Sequence, residues 1–271
     1  MPPSQPDHWT SKEVLITVKT YPHPSEAYKE LVCTAGITRE GEWIRLYPID
    51  YRYRPRSQQF MKYQWIRVNV SRRTEWNDNR RESWRPDLDS IEILGPQVSS
   101  RDDWRERRLI IDSLPHHTVN ELKELYDSER ISLGIVRPTQ ILDVEIRPDT
   151  THWKPNWAKL FPQILLFGEQ QKPLEKLPFK FQYVFECSDS RKVYRAMIED
   201  WELGTLFLRE RERLSSDQAA ANSVKAKYLD EMANQARDTR LFMGTRWPRN
   251  VWLVLGVFWP PKARVEQSEM F

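Results

Sequence analysis

The stretch GITREGEWIRLYPIDYRYRPRSQQFMKYQWIRVNVSRR, Gly36 to Arg73, decides the fold because two runs in it alternate with a period of two. In Glu42 to Ile49, Ile44 and Leu46 point one way while Trp43, Arg45 and Tyr47 point the other. In Trp65 to Ser71, Ile66, Val68 and Val70 oppose Trp65, Arg67 and Asn69. Aliphatic side chains on one face of a strand are a core face. The opposite faces then carry Trp43, Arg45, Tyr47, Trp65, Arg67 and Asn69, rings on which bases stack and guanidinium groups that hold phosphates.

Charge sharpens this reading. From Arg45 to Arg85 eleven basic residues stand against four acidic ones, whereas the whole chain carries only +3, so the rest of it is net negative. A local basic patch is the footprint of a phosphate-bearing partner. Arg52, Arg54, Arg56, Arg72, Arg73, Arg80, Arg81 and Arg85 lie in the connections and are placed to track phosphates. The competing reading is a covered face, with the rings under a second unit and the arginines neutralised by nearby carboxylates.

Outward from this stretch, Val14, Ile16 and Val18 read as one face of a strand ended by Pro22 and Pro24. Leu31 to Thr38 and Glu42 to Pro48 read as strands joined by a short turn at Arg39-Glu40-Gly41. Ser90 to Leu94 is a fifth strand, and TEWNDNRRESWRPDLD before it lacks apolar periodicity and reads as a loop. Five strands with long loops in about 85 residues fit a small barrel of the OB kind, with SH3-like and PUA-like barrels as similar alternatives.

Arg101 to Leu114 and Thr118 to Tyr126 read as helices, the second opened by a Thr118–Glu121 capping box. Ile141 to Ile146, Phe179 to Cys187 and Val193 to Ile198 read as strands, Glu199 to Arg213 and Asp217 to Ala236 as helices. Thr239 to Thr245 and Val251 to Trp259 are closing strands. The last is apolar on both faces, which places it centrally or between the two units. The expected organisation is α+β and β-rich: a flexible tail 1–12, an N-terminal OB-like barrel plus helices 13–128, a C-terminal OB-like β-barrel with a linker and helical insertion 129–261, and a tail 262–271. The chain is thus read as two OB-like small β-barrels with inserted and flanking helices.

Composition bounds the function. Eight Gly against nineteen Pro argue against a glycine-rich phosphate loop, and no G-x-x-x-x-G-K, G-x-G-x-x-G or G-x-S-x-G occurs, so NTPase, dinucleotide and hydrolase readings lack their parts. Cys33 and Cys187 are far apart and neither belongs to a C-x-x-C pair, so no disulfide framework or cysteine zinc site is expected, and no cofactor. The N-terminus lacks the order of a signal peptide and no run is long enough to span a bilayer; a cytoplasmic protein with no membrane contact is expected.

The pieces VCTAGITREGEWIRLYPI (Val32 to Ile49), KYQWIRVNV (Lys62 to Val70), RRESWRPD (Arg80 to Asp87), SLGIVRPTQILDVEI (Ser132 to Ile146), FKFQYVFEC (Phe179 to Cys187), MIEDWELGTLF (Met197 to Phe207) and VLGVFWPP (Val254 to Pro261) resemble, in order and over most of the chain, the prokaryotic dual OB-fold domain proteins associated with genomic conflict and antiviral defence loci. The resemblance implies two OB-like barrels and a nucleic-acid-linked role in defence. It supplies no catalytic residues. Some similar sequences carry extra Cys and His after the equivalent of Cys187; this chain has SDSRKVYRAM there, which does not support a zinc knuckle.

Two constellations could carry chemistry. Glu199, Asp200 and Glu202 cluster at a strand-to-helix junction, either as a metal site for phosphodiester cleavage or as an acid-rich helix start, and the second reading is favoured. His116-His117 precede a helix without an evident third ligand and read as solvated loop residues. The leading expectation is a non-catalytic nucleic-acid-binding recognition or adaptor component of a prokaryotic defence system. Single-stranded nucleic acid is the favoured ligand, and an effector protein from the same locus a further partner. The alternatives are a scaffold or inhibitor of that effector and, less favoured, a metal-dependent nuclease.

Overall fold

A computed structural model describes residues 8–25, 29–72, 78–154, 174–189, 192–246 and 250–262. The N-terminal half contributes β1 (Thr10–Lys19), β2 (His23–Ser25), β3 (Lys29–Thr38), β4 (Trp43–Ile49), β5 (Trp65–Arg72), β6 (Ser83–Pro86), β7 (Glu92–Ile93) and α1 (Arg101–Ile111). After it come β8 (His116–His117), α2 (Val119–Glu129), β9 (Leu133–Val136), β10 (Gln140–Pro148), β11 (Phe179–Glu186) and β12 (Val193–Met197). Helices α3 (Trp201–Leu214) and α4 (Asp217–Ala226) and strands β13 (Arg240–Arg246) and β14 (Val251–Phe258) complete the described elements.

The first half closes a five-stranded barrel. Strands run β1-β3-β4-β6-β5, and β5 returns to pair with β1 from Leu15–Trp65 to Thr10–Val70. Closure leaves no free edge in that ring and gives every strand an inward face. Val14, Ile16, Val32, Ile44, Leu46, Ile66, Val68 and Val70 fill it, the faces that the period-two pattern marks as core.

In the second half, β10, β11 and β12 form an antiparallel sheet, and β14, β13, β9 and β8 a second one in which β8 runs parallel to β9. The two meet at the parallel Ile198–Val254 bridge. Helices α3 and α4 cover this pair through Leu203, Phe207, Ala220, Ala221 and Val224. Strand β14 sits between two cores: Val254 and Val257 belong to the C-terminal one, Leu253, Leu255 and Phe258 to a third. That third core joins Val18, Ala35 and Ile37 of the barrel to Leu133, Ile135 and Phe242, so a continuous apolar seam holds the halves together. The doubly apolar pattern of β14 is the sequence trace of this position.

The capping box on α2 is present as read: Thr118 Oγ1 accepts the Glu121 N–H at 3.2 Å and Glu121 Oε2 accepts the Thr118 N–H at 2.6 Å. Thr118→Ala is expected to lower stability by about 1 kcal/mol in urea denaturation, since the Glu121 amide loses its acceptor.

Candidate nucleic-acid interface

Barrel closure separates the two aromatic and basic faces. Strand β6 lies between β4 and β5, so Trp43, Arg45 and Tyr47 do not share a surface with Trp65, Arg67 and Asn69. The β4 side turns to the seam. Trp43 packs edge-on against Phe242 at 5.8 Å, and Arg45, expected on an open platform, is only 2% exposed. Its Nη2 donates to the Ser132 carbonyl and Oγ at 3.2 and 3.1 Å, and its Nη1 to Cys33 Sγ at 3.1 Å. The expected platform of six residues is therefore corrected on its β4 half, because the second half of the chain needs that face to bury its own apolar sheet.

The β5 side remains on the outer wall. Trp65 and Asn69 are half-buried and Arg67 is exposed. Arg39 from the β3–β4 turn lays its guanidinium 3.6 Å from the Trp65 ring centre and donates to Glu13 at 3.0 Å. Arg67 donates to Glu13 and to Glu92, each at 2.8 Å. Hydrogen bonds from Arg67 and Arg39 hold Glu13 below its ordinary carboxylate range. Ion pairs this exposed are screened by water and salt, so a phosphate can take the place of a carboxylate on either arginine. Arg85, opposite Ser71 in the β5–β6 ladder, falls on the same side of the sheet as Asn69.

The loop arginines divide by burial. Arg56 is exposed in a short 3-10 turn, and Arg54 beside it pairs with Asp50 at 2.8 Å and Asp89 at 2.9 Å. Arg72 stacks over Trp84 at 3.9 Å, and Arg81 is exposed and pairs with Glu129 at 2.9 Å. Arg52 is held by the buried Glu30 at 2.9 Å, and Arg80 forks onto Asp78 with two 2.7 Å bonds while donating to the Thr245 carbonyl at 3.0 Å. Burial opposes the Asp78 charge, but the Arg80 fork outweighs it and keeps the carboxyl below its ordinary range. Arg52 and Arg80 are thus positioned as internal struts, a correction to their expected place along a phosphate track. Arg73 lies outside the described residues.

The acidic junction is structural in its geometry. Asp200 caps α3 by accepting the Glu202 N–H at 3.0 Å, and both its oxygens accept from Lys62 Nζ at 2.9 and 3.1 Å. Glu202 accepts from the same amine at 3.1 Å, while Glu199 turns away to Arg246 at 3.1 Å. Among the described residues, no group of three His, Cys, Asp or Glu side chains is arranged to hold a metal ion. The nuclease reading would have needed these three carboxylates to converge. His116 and His117, expected in a solvated loop, form the short strand β8 and are half-buried; burial lowers both below the ordinary histidine value, and His116 lies 2.9 Å from Arg240. Lys62, the residue that carries the seam, had no sequence signal beyond belonging to a basic run.

Among the described residues, no helix is long and apolar enough to cross a membrane. Residues 115–271 match the family described as Domain of unknown function (DUF8757), and residues 10–113 match Domain of unknown function (DUF8758). No curated protein matches the sequence. Among solved structures, a murine DNA-binding protein bound to double-stranded DNA matches with 7% identity and a TM-score of 0.31, over 94% of this chain and 97% of that one.

Proposed function

We propose that this chain, which belongs to the DUF8757 family, is a non-catalytic nucleic-acid-binding protein that takes single strands along the outer wall of β5. The observation that carries the reading is the Arg39–Trp65 stack beside Arg67 and Asn69. A ring already layered with a guanidinium, on a rigid closed barrel, offers a base a stacking partner and its phosphate a cation at once. Arg56 and Arg85 extend the positive charge from that wall, while Arg54 is already neutralised by Asp50 and Asp89. The role we assign is recognition or adaptor component of a prokaryotic antiviral defence system, and we read the two C-terminal sheets, joined at Ile198–Val254, as an open second OB-like barrel.

Fluorescence anisotropy against single-stranded DNA, single-stranded RNA and duplex over a salt series tests the reading. Binding is expected to be strongest for a single strand and to weaken linearly in log Kd against log salt. Trp65→Ala should lose about 1–3 kcal/mol of binding through the missing stack. Arg67→Ala should reduce the salt slope by about 1. Absence of binding to all three probes at low salt would sink the proposal.

A further inference from the structure

Between the barrel and the C-terminal half lies a cleft of about 350 Å³, lined by both. Its apolar wall comes from Pro24, Leu31, Leu253 and Leu255, with the Tyr47 ring beside them. Thr20, Ser25 and Thr245 add small hydroxyl groups. The volume lies at the lower end of the range for small-ligand sites, about 300–1,000 Å³, and the mixture of apolar wall and few polar groups is theirs too.

Three arginines, Arg45, Arg80 and Arg246, face two carboxylates, Asp78 and Glu199, leaving one positive charge in excess. Arg80 and Arg246 already have those carboxylates as partners. Arg45 does not. Among the described residues no carboxylate lies within 4.0 Å of its guanidinium, its Nε has no hydrogen-bond partner, and its Nη1 points to the Cys33 thiol. The buried Glu82 carboxylate reaches that guanidinium only through Ser132, whose N–H donates to Glu82 Oε1 at 2.5 Å, while the Glu82 carbonyl accepts the Arg45 N–H at 2.8 Å. A buried arginine that gives an N–H to sulfur, a weak acceptor, is under-satisfied on that side. An anionic oxygen in the cleft would replace a weak acceptor with a strong one. His23, which burial holds below its ordinary value, adds a neutral ring near the mouth rather than a second cation.

We infer that the seam cleft binds one nucleotide unit through a singly charged phosphodiester set toward Arg45 and a base laid along Tyr47 and the leucine wall. Among the groups that line the cleft a single negative charge matches the single excess positive one, with the buried Glu82 carboxylate set behind Ser132, and the apolar wall makes a bare inorganic anion an incomplete ligand. That chemistry can come from a nucleotide of a single strand or from a free cyclic mononucleotide. The site is distinct from the outer wall, so either proposal can fail alone.

Cys33 reports on it. It is half-buried and lines the cleft, whereas Cys187 is buried and its thiol is pushed up to about 11, so iodoacetamide should label Cys33 first and leave Cys187 as the internal control. The probes are 3′,5′-cyclic AMP, an oligo-dT single strand, thymidine and orthophosphate, followed by peptide mass mapping, with calorimetry as a thiol-independent reading. At a concentration about ten times Kd, a ligand in the cleft should slow Cys33 labelling about tenfold by mass action. Slowing by the cyclic nucleotide assigns the free source, and slowing by oligo-dT alone assigns the strand. Ser25→Trp, which narrows the cleft from its half-buried rim, should abolish both effects while leaving the melting temperature in place, and Arg67→Ala should leave them intact. Arg45→Gln should abolish them as well, but it removes a buried charge and is read only if it folds. The inference is overturned if neither nucleotide probe protects or binds, if orthophosphate or thymidine does so equally well, or if protection survives Ser25→Trp.

Discussion

Lys62→Met is expected to lower the free energy of unfolding by about 3–5 kcal/mol in urea denaturation followed by tryptophan fluorescence, the range for breaking a buried ion pair from one side. Lys62 and Asp200 are 3% and 2% exposed on their side chains, come from opposite halves of the chain and meet at 2.9 Å. Burial opposes the Lys62 charge, but Asp200 and Glu202 together outweigh it and hold the amine protonated beyond the ordinary lysine range. A folded value raised above the ordinary 10.5 means that the contribution of this lysine is fully present below that pH and is lost only as pH rises through the folded value. Methionine keeps the length and removes the charge, leaving the buried Asp200 carboxylate without the ammonium that both its oxygens accept from.

Two further measurements separate the ion pair from simple packing. Burial already pushes the Asp200 carboxyl up, to about 6, against the pull of Lys62. Without that lysine it must rise further, so the folded variant binds a proton more readily than the unfolded chain and the deficit should shrink as pH falls from 7 toward 5. The double variant Lys62→Met with Asp200→Asn should recover much of the loss at pH 7, because it removes both members of the pair, leaves the buried Lys19 with Glu202 as its carboxylate, and keeps an Asx cap on α3. A single variant within about 1 kcal/mol of the parent, or a double variant as unstable as the single, would show that the seam stands on its apolar core alone.

The strands of the barrel were legible because their cores are aliphatic and alternate: Ile44 and Leu46, and Ile66, Val68 and Val70, are all buried as the pattern requires. Strand β6 was not. Ser83-Trp84-Arg85-Pro86 is four residues long, has no run of apolar residues, and sits in a stretch that reads as a loop. Its strand character comes from pairing with Arg45–Leu46 on one side and Val70–Arg72 on the other, a tertiary effect with no local signature. Missing it placed the outward faces of β4 and β5 side by side. The ring order also explains why the same composition has two fates: Arg67 stays outside, while Arg45 ends at the floor of the seam. Short strands formed by pairing, such as β8, escaped for the same reason.

The seam itself was half legible. A closing strand apolar on both faces needs two partners, and Val251–Phe258 has them in the C-terminal core and the barrel-facing core. What pattern alone could not supply was the polar clamp between them. Lys62 reads as one more base in a basic run and Asp200 as one more acid at a helix start; their pairing joins positions 138 residues apart. The same closure of the halves that sets Lys62 on Asp200 also sets Arg45 under the cleft.

Gly36→Ala is expected to destabilise the barrel by about 3 kcal/mol or more, at or above the upper end of the usual overpacking range. Gly36 lies on β3 opposite Ile16 of β1 and Ile44 of β4. A Cβ placed there falls 2.2 Å from the Leu15 carbonyl oxygen, 2.6 Å from Val14 Cγ1 and 2.9 Å from the Leu15 carbonyl carbon. Two of those atoms are backbone, so no rotamer change relieves the contact; β1 must move away from β3, and β1 also carries the pairing to β5 that closes the ring. Gly204 in α3 is the control. A Cβ there comes within 2.0 Å of the Tyr21 ring, as close a contact, but with a side chain rather than backbone, so relief costs the Tyr21 hydroxyl's bond to the Glu175 carbonyl and not a strand pairing. Gly204→Ala also gains about 1 kcal/mol of helix propensity, which offsets part of the strain. Urea unfolding should therefore rank Gly36→Ala well below Gly204→Ala, and the reverse order would mean that α3 and Tyr21, rather than the β1–β3 approach, hold the chain in its closed form.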